Sequence, residues 1–362
     1  MVFSLKKIVC CLLGLYYFCL VGAQSDTLLY AAEMTVMPVG ARTAALGEAA
    51  AALPLNAQSL YYNPALISVN AQVEIWLEGA ILYGNETQNA SLAIQTPIQK
   101  DIIIGALYSA VINDDIPLYA ELPATYQENL ANPLLRSNGE PLGYFSNIHH
   151  NVVLAVAKNF ALLGGRSSRL SAFPLPVDIA IGVNFKAYWQ HMNPHGKVRL
   201  GMNVNADAGL LVSIGMDYDI AIREVTRRFM LGAGVRNALP SKVVWVYSPL
   251  DYREQVHNTQ QYSVAYEDRT GFLQGHWLIA LGLQRSFADE VSSSAEPADY
   301  IQTLHAGLEG TFFELVSFRA GISDGVASLG AGVAFDRYRL DYAFRFDQIK
   351  FSPIRLSFGA VF

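Results

Sequence analysis

Two-residue alternation of apolar and polar positions runs through most of the chain. At the C-terminus Ile354, Leu356, Phe358, Ala360 and Phe362 alternate with Arg355, Ser357, Gly359 and Val361. Just upstream, Tyr338, Leu340, Tyr342, Phe344 and Phe346 alternate with Arg339, Asp341, Ala343, Arg345 and Asp347. Successive side chains of a strand point to opposite faces, so each segment predicts a strand with one greasy and one charged face. A third run sets Val177, Ile179, Ile181, Val183, Phe185, Ala187 and Trp189 against Asp178, Ala180, Gly182, Asn184, Lys186, Tyr188 and Gln190. At ~3.3 Å per residue it would extend over roughly 40 Å, far beyond the usual soluble strand. Further runs lie at 73–83, 204–214, 229–235, 277–283, 304–308, 316–322 and 329–335, with weaker ones at 89–98, 101–112, 147–160 and 257–267. Together they predict about fourteen strands, an even number as a single-chain bacterial outer-membrane barrel requires.

The two faces decide between a soluble sandwich and a barrel. A sandwich would turn its second face to water with Lys, Glu and Thr. Here the less apolar face is mostly Gly, Ala, Ser and Asn with occasional charge, while the apolar face carries many aromatics. That distribution predicts an all-β transmembrane antiparallel barrel, lipid outside and a narrow or plugged lumen inside. An arginine on the lipid side at mid-bilayer costs about 2–4 kcal/mol, so Arg339, Arg345 and Arg355 should point inward. Their charges are either paired across neighbouring strands, as Asp341 and Asp347 would allow, or solvated by luminal water.

Composition agrees. The 362 residues are 52% hydrophobic and only 15% charged, with mean hydropathy +0.24, yet beyond the N-terminus no stretch is long enough for a membrane helix. The net charge of −6 offers no basic patch, which argues against a nucleic-acid partner. Residues 1–23 carry Lys6 and Lys7, an apolar run from residue 8 to 21 and the small pair Gly22-Ala23, the three-part pattern of a secretory signal. All three cysteines, Cys10, Cys11 and Cys19, lie within it. A processed chain would therefore have no thiol and no disulfide scaffold.

Residues 24–70 lack alternation. Residues 44–52 favour helix and Pro54 stops it; a second short helical turn is expected through 57–62, ended by Asn63-Pro64. An N-terminal plug, or hatch, inside a barrel of residues 71–362 gives these small residues a place. Within the segment, Gly40-Ala41-Arg42, Leu46-Gly47, Ala57, Leu60-Tyr61-Tyr62 and Asn63-Pro64-Ala65, together with the C-terminal "LGAGVAFDRYRLDYAFRF" and "RLSFGAVF", resemble the FadL-like family of outer-membrane barrels. That family includes long-chain fatty acid transporters and PorV-type secretion proteins. The chain departs from its pattern at Glu48, at Leu53-Pro54-Leu55 and at Leu66. The resemblance implies a barrel of approximately fourteen strands, a hatch or gate carrying Asn63, Pro64 and Ala65, and, in the transporter branch, a side opening in the wall.

Short periplasmic turns and longer outer loops orient such a barrel. Residues 113–146, 236–257 and the Ser- and Ala-rich stretch near 294 are then outer loops, and Phe362 ends the chain in the periplasm, where a terminal aromatic addresses the barrel-assembly machinery. Leu118, Tyr119, Leu122, Tyr126, Leu134, Leu135, Trp245 and Tyr247 are candidates for a hydrophobic capture groove, or they pack the loops together; Arg136 and Arg253 are candidate headgroup partners. "GISDG" at 321–325 matches a nucleophile elbow, but that needs a strand, turn and helix, and Ser323-Asp324-Gly325 reads as a hairpin turn. His191 and His195, the pair His149-His150, and Asn113 to Asp115 lack the converging ligands of a metal site. No catalytic residue, metal or cofactor is expected. The expected function is passive uptake of a hydrophobic small molecule, such as a long-chain fatty acid, across the bacterial outer membrane. The alternative is a PorV-like barrel that docks exported proteins, with a sealed lumen.

Overall fold

The structure, a computed structural model, describes residues 37–82, 87–119, 139–163, 176–194, 198–219, 224–246, 253–271, 275–287, 300–346 and 353–362. Residues 1–36, which hold the expected signal segment and the first part of the expected hatch, lie outside them, as do His195, Asp347 and the stretch near 294. The strands are β1 (Glu74–Leu82), β2 (Thr87–Gln99), β3 (Ile102–Leu118), β4 (Gly143–Leu163), β5 (Val177–Met192), β6 (Arg199–Asp219), β7 (Glu224–Arg236), β8 (Ser241–Val246), β9 (Arg253–Val256), β10 (Thr259–Gly271), β11 (Gly275–Phe287), β12 (Tyr300–Phe312), β13 (Val316–Ser323), β14 (Val326–Phe335), β15 (Tyr338–Arg345) and β16 (Ile354–Val361). Each pairs antiparallel with its chain neighbour, except that β7 pairs with β10, and β16 returns to β1 with Glu74 opposite Val361. The β5–β6 pairing closes the ring. Because β8 and β9 form a hairpin that is not part of the ring, the wall has fourteen strands.

The alternation sets the faces. In β1, Glu74, Trp76, Glu78 and Ala80 are buried inside while Ile75, Leu77 and Ile81 are exposed outside. In β5, Ile181, Val183 and Phe185 face out, and Ala180, Asn184 and Lys186 face in. Arg355 lies inside at 4% exposure, as the cost of a lipid-facing arginine requires. Both barrel ends, Glu74 and Val361, share one rim. The turns at 100–101, 313–315 and 336–337 on that rim are short. The turn at Asp324-Gly325 sits on the opposite rim, with both residues at positive φ (49° and 76°), as a tight hairpin needs.

Residues 37–70 fill the lumen, and their structure differs from the propensity reading. The helix α1 covers Ala41–Ala45, not 44–52. It ends because Gly47 and Glu48 take positive φ (62° and 63°), and because the Gly47 backbone lies so close to Ile322 and Ala306 that a Cβ would collide with them. Contact with the wall overrides alanine propensity. A 3-10 turn at Ala57–Tyr61 is capped by Asn56. Asn63-Pro64 ends it, but Pro64 also opens a second 3-10 turn, Pro64–Ser68, at a position where its missing N–H costs nothing.

The segment 236–257 is also more ordered than a loop. It lies on the outer rim as expected but contains the β8–β9 hairpin. β6 rises beyond the end of β7, since Ala208 already faces Val235, and β8 pairs with the upper edge left over, from Leu200 opposite Val246 to Met202 opposite Val244.

Candidate functional site: the plugged lumen and its outer vestibule

The plug is seated by hydrogen bonds to strands all round the wall. On β1, Glu78 accepts from the Gly40 N–H and from Gln58 Nε2 (3.0 Å), while Glu74 accepts from the Ala57 N–H at 2.9 Å. On β16 Ser357 accepts from the Ala41 N–H at 2.9 Å, and on β5 Asn184 donates to the Leu60 carbonyl at 2.8 Å. His305 of β12 contacts the Gly47 carbonyl at 2.9 Å. Arg345 of β15 bonds Glu48 at 3.1 Å.

At the centre stands a chain of buried charges. Arg42 of α1 grips Glu309 in a bidentate pair (2.8 and 2.5 Å), Arg319 bonds the same carboxylate at 2.5 Å, and Arg319 also reaches Asp341 at 2.8 Å. Arg355 pairs with Glu78 at 2.7 Å. These interior charges are thus paired directly, across strands and onto the plug. Burial works against the charge of Arg42, yet Glu309 and Asp341 hold its pKa above the ordinary value. Burial likewise pushes the Tyr61 and Tyr62 phenols up.

Asn63, Pro64 and Ala65 lie together against β5 and β6. The Asn63 side chain, with no exposure, accepts from the Ala65 N–H (3.0 Å) and donates to the carbonyls of Ala51 (2.7 Å) and Leu210 (3.0 Å). It caps the turn and ties it to the wall. Two wall glycines make room: a Cβ on Gly209 would strike Asn63, and one on Gly182 would strike the Pro64 backbone.

Towards the outer rim the lumen changes character. Val111 of β3, Tyr188 of β5, Val243 of β8 and Val256 of β9 form an apolar cluster, with Met37 and Trp245 packed against it. Tyr188 also belongs to a polar relay, donating its one hydroxyl proton to Gln190 (2.9 Å) and so accepting from His149 Nδ1 (2.7 Å), while Gln190 donates to Asn147 at 3.0 Å. A separate cavity of about 100 Å³ lies over the plug near the ends of β1, β15 and β16, lined by Met37, Pro38, Leu82, Phe344, Pro353 and the paired Arg345 and Arg355, among others.

Of the proposed capture residues, Trp245 sits on this cluster, whereas Leu118 is half-buried and Tyr119 exposed at the end of β3. Leu122, Tyr126, Leu134, Leu135, Tyr247 and Arg136 lie outside the described residues, as does the Arg253 side chain. Sequence reasoning missed Val111, Tyr188, Val243 and Val256. His150 faces outward, stacked on Trp189 at 5.0 Å and bonded to Tyr108 at 2.9 Å. Among the described residues no three potential ligands gather to hold a metal. Ser323 closes β13 before a hairpin and β14, which is not the strand-turn-helix of an elbow. The ladder between neighbouring strands is continuous through the described residues, so it shows no side opening there; it has register shifts at Pro97/Gln99, Asn113/Ile116, Ala161/Leu163, Gly215/Asp217, Asp217/Tyr218 and Asp268/Gly271.

A closed ring with an apolar exterior and a charged, hydrogen-bonded interior is stable only with hydrocarbon around it. This is an outer-membrane β-barrel. No protein-family model and no curated protein matches the chain. It is similar to solved outer-membrane structures. A deletion mutant of TodX described as a monoaromatic hydrocarbon channel aligns at 11% identity and TM-score 0.47, covering 89% of this chain and 97% of that one. The Pseudomonas putida toluene transporter TodX aligns at 12% and 0.45, covering 89% and 96%. A Pseudomonas aeruginosa FadL homologue aligns at 10% and 0.41, covering 88% and 97%.

Proposed function

We propose that the barrel takes up hydrophobic small molecules across the outer membrane by passive diffusion, as its sequence resemblance to the FadL-like family implies, with long-chain fatty acids among the candidates. The observation that carries this reading is the apolar cluster of Val111, Tyr188, Val243 and Val256 towards the outer rim, separate from the apolar clusters in which plug and wall pack on each other. A water-filled porin has no use for such a patch. A hydrophobe does, because each buried CH2 gains about 0.8 kcal/mol. Asn63, Pro64 and Ala65 would form the point where the plug yields. The lipid band outside completes the reading, and Phe362, just after the closing strand, would be the contact for the assembly machinery.

A second reading has one observation in its favour. The bonds that tie the plug to so many strands favour a sealed lumen, as in a PorV-type barrel that docks exported proteins.

Saturable binding of a fluorescent hydrophobic probe to the refolded barrel separates the two. Val243→Asp places an unpaired carboxylate in the cluster and should weaken binding by more than about tenfold, since burying a lone charge is costly, while the barrel keeps its folded, heat-modifiable migration. Absence of saturable binding to the unmodified protein would favour the docking role.

A further inference from the structure

Asn151 of β4 faces the lumen with no exposure, and neither its Nδ2 nor its Oδ1 has a hydrogen-bond partner among the described residues. Buried amides are nearly always satisfied, and an orphan costs about 1–3 kcal/mol, so both groups call for an explanation. Their position supplies one. Asn151 stands between Ser109 and Tyr188 in the cross-strand ladder, and Tyr188 is part of the outer apolar cluster, as is Val111 two positions beyond Ser109. Packed against the same cluster, the indole Nε1 of Trp245, buried as well, has no acceptor among the described residues. An apolar patch is thus flanked by one group that both donates and accepts and by one that only donates.

Among the described residues the cluster contains no cation. Lys186, two positions from Tyr188 on β5, is already held by Asp207 at 2.7 Å and by Asn237 at 2.6 Å. His149 is engaged with the Tyr188 hydroxyl through Nδ1. A carboxylate brought here would lose its water without gaining a counter-ion. A hydroxyl or amide would find a donor and an acceptor in Asn151 and a further donor in Trp245.

We infer that the outer vestibule selects neutral hydrophobic molecules bearing a hydroxyl or amide group, in preference to fatty acid anions. The site rests on the uptake reading and narrows its substrate class.

The test is displacement of a fluorescent hydrophobic dye from the full-length barrel, held in amphipathic polymer at pH 8, where an ordinary histidine is uncharged. The competitors are an n-alkanol, the fatty acid of equal chain length and the corresponding alkane. The alkanol should bind roughly tenfold more tightly than the fatty acid anion, by the cost of an unpaired buried charge. Asn151→Leu should lower alkanol affinity by about two- to tenfold, the range of one or two neutral hydrogen bonds, and leave the alkane unchanged. Asn151→Ser, which keeps a hydroxyl, should retain part of the preference, and Trp245→Phe should weaken the alkanol alone. Equal or tighter binding of the fatty acid overturns the inference while leaving uptake intact. So does an Asn151→Leu protein, folded by heat-modifiability, in which alkanol and alkane weaken together or neither changes. If no competitor displaces the dye and the dye itself does not saturate, the uptake reading fails and takes this one with it.

Discussion

Glu309 shows how a single residue can hold plug and wall together. Its two oxygens serve Arg42 of the plug and Arg319 of β13, and Arg319 passes the charge on to Asp341 of β15. Replacing such a network with apolar groups can be neutral, but removing one partner strands the others in a medium that cannot solvate them. Glu309→Ala should therefore destabilise the barrel by about 3–5 kcal/mol, read from urea unfolding of the refolded protein. Asp336→Ala, which breaks the exposed 3.6 Å pair with Arg337, should change stability by less than about 1 kcal/mol. The inward direction of Arg355 and Asp341 followed from alternation and the cost of charge in lipid. Their partners did not, because pairing depends on register and on a plug that reaches Glu309 from 267 positions away in sequence. Val111 and Tyr188 stand at the inward phase of β3 and β5, but so do Trp76, Ile103, Leu107, Leu211 and Met230 on their own strands, which pack against the plug, so residue size alone did not mark the outer cluster.

At the level of elements, the inward glycines of the wall are what let a plug of ordinary backbone fit. A Cβ on Gly232 would collide with the Ala51 backbone, one on Gly307 with Leu46, and one on Gly321 with Leu46 and Gly47. The glycines of β7, β12 and β13 thus answer the small residues of the plug. Gly79 sits on the outer face with nothing near its missing side chain. Gly232→Val should cost about 1–3 kcal/mol through overpacking and raise single-channel conductance by displacing the plug, whereas Gly79→Val should leave both near the parent values. Fourteen strands were legible because a two-residue period survives any context. The β8–β9 hairpin was not, since its formation answers an unpaired upper edge of β6, which only the assembled ring creates. The length of α1 was hidden for the same reason: Gly47 is bent by contact with β12 and β13, not by its own neighbours in the chain.

Across the whole molecule the wall is lopsided. β4 and β6 each run 21 residues, whereas β13, β15 and β16 have 8. At ~3.3 Å per residue and a tilt of about 40°, these correspond to roughly 50 Å and 20 Å of height, against an apolar band of about 25 Å. The short side is therefore wholly within the membrane, and the tall side must stand clear of it at one rim. Since both barrel ends share the other rim, the tall side projects outward with β8 and β9 on it. Cysteine labelling tests this arrangement, because the native cysteines all lie in residues 1–23 and the parent protein serves as the blank. Lys242→Cys, exposed on β8, should react with a membrane-impermeant maleimide on intact cells. Asp336→Cys, on the turn between β14 and β15, should react only after the outer membrane is permeabilised, and Leu356→Cys, on the lipid face of β16, in neither case. Labelling of Asp336→Cys on intact cells would invert the barrel and put the vestibule on the wrong side for uptake.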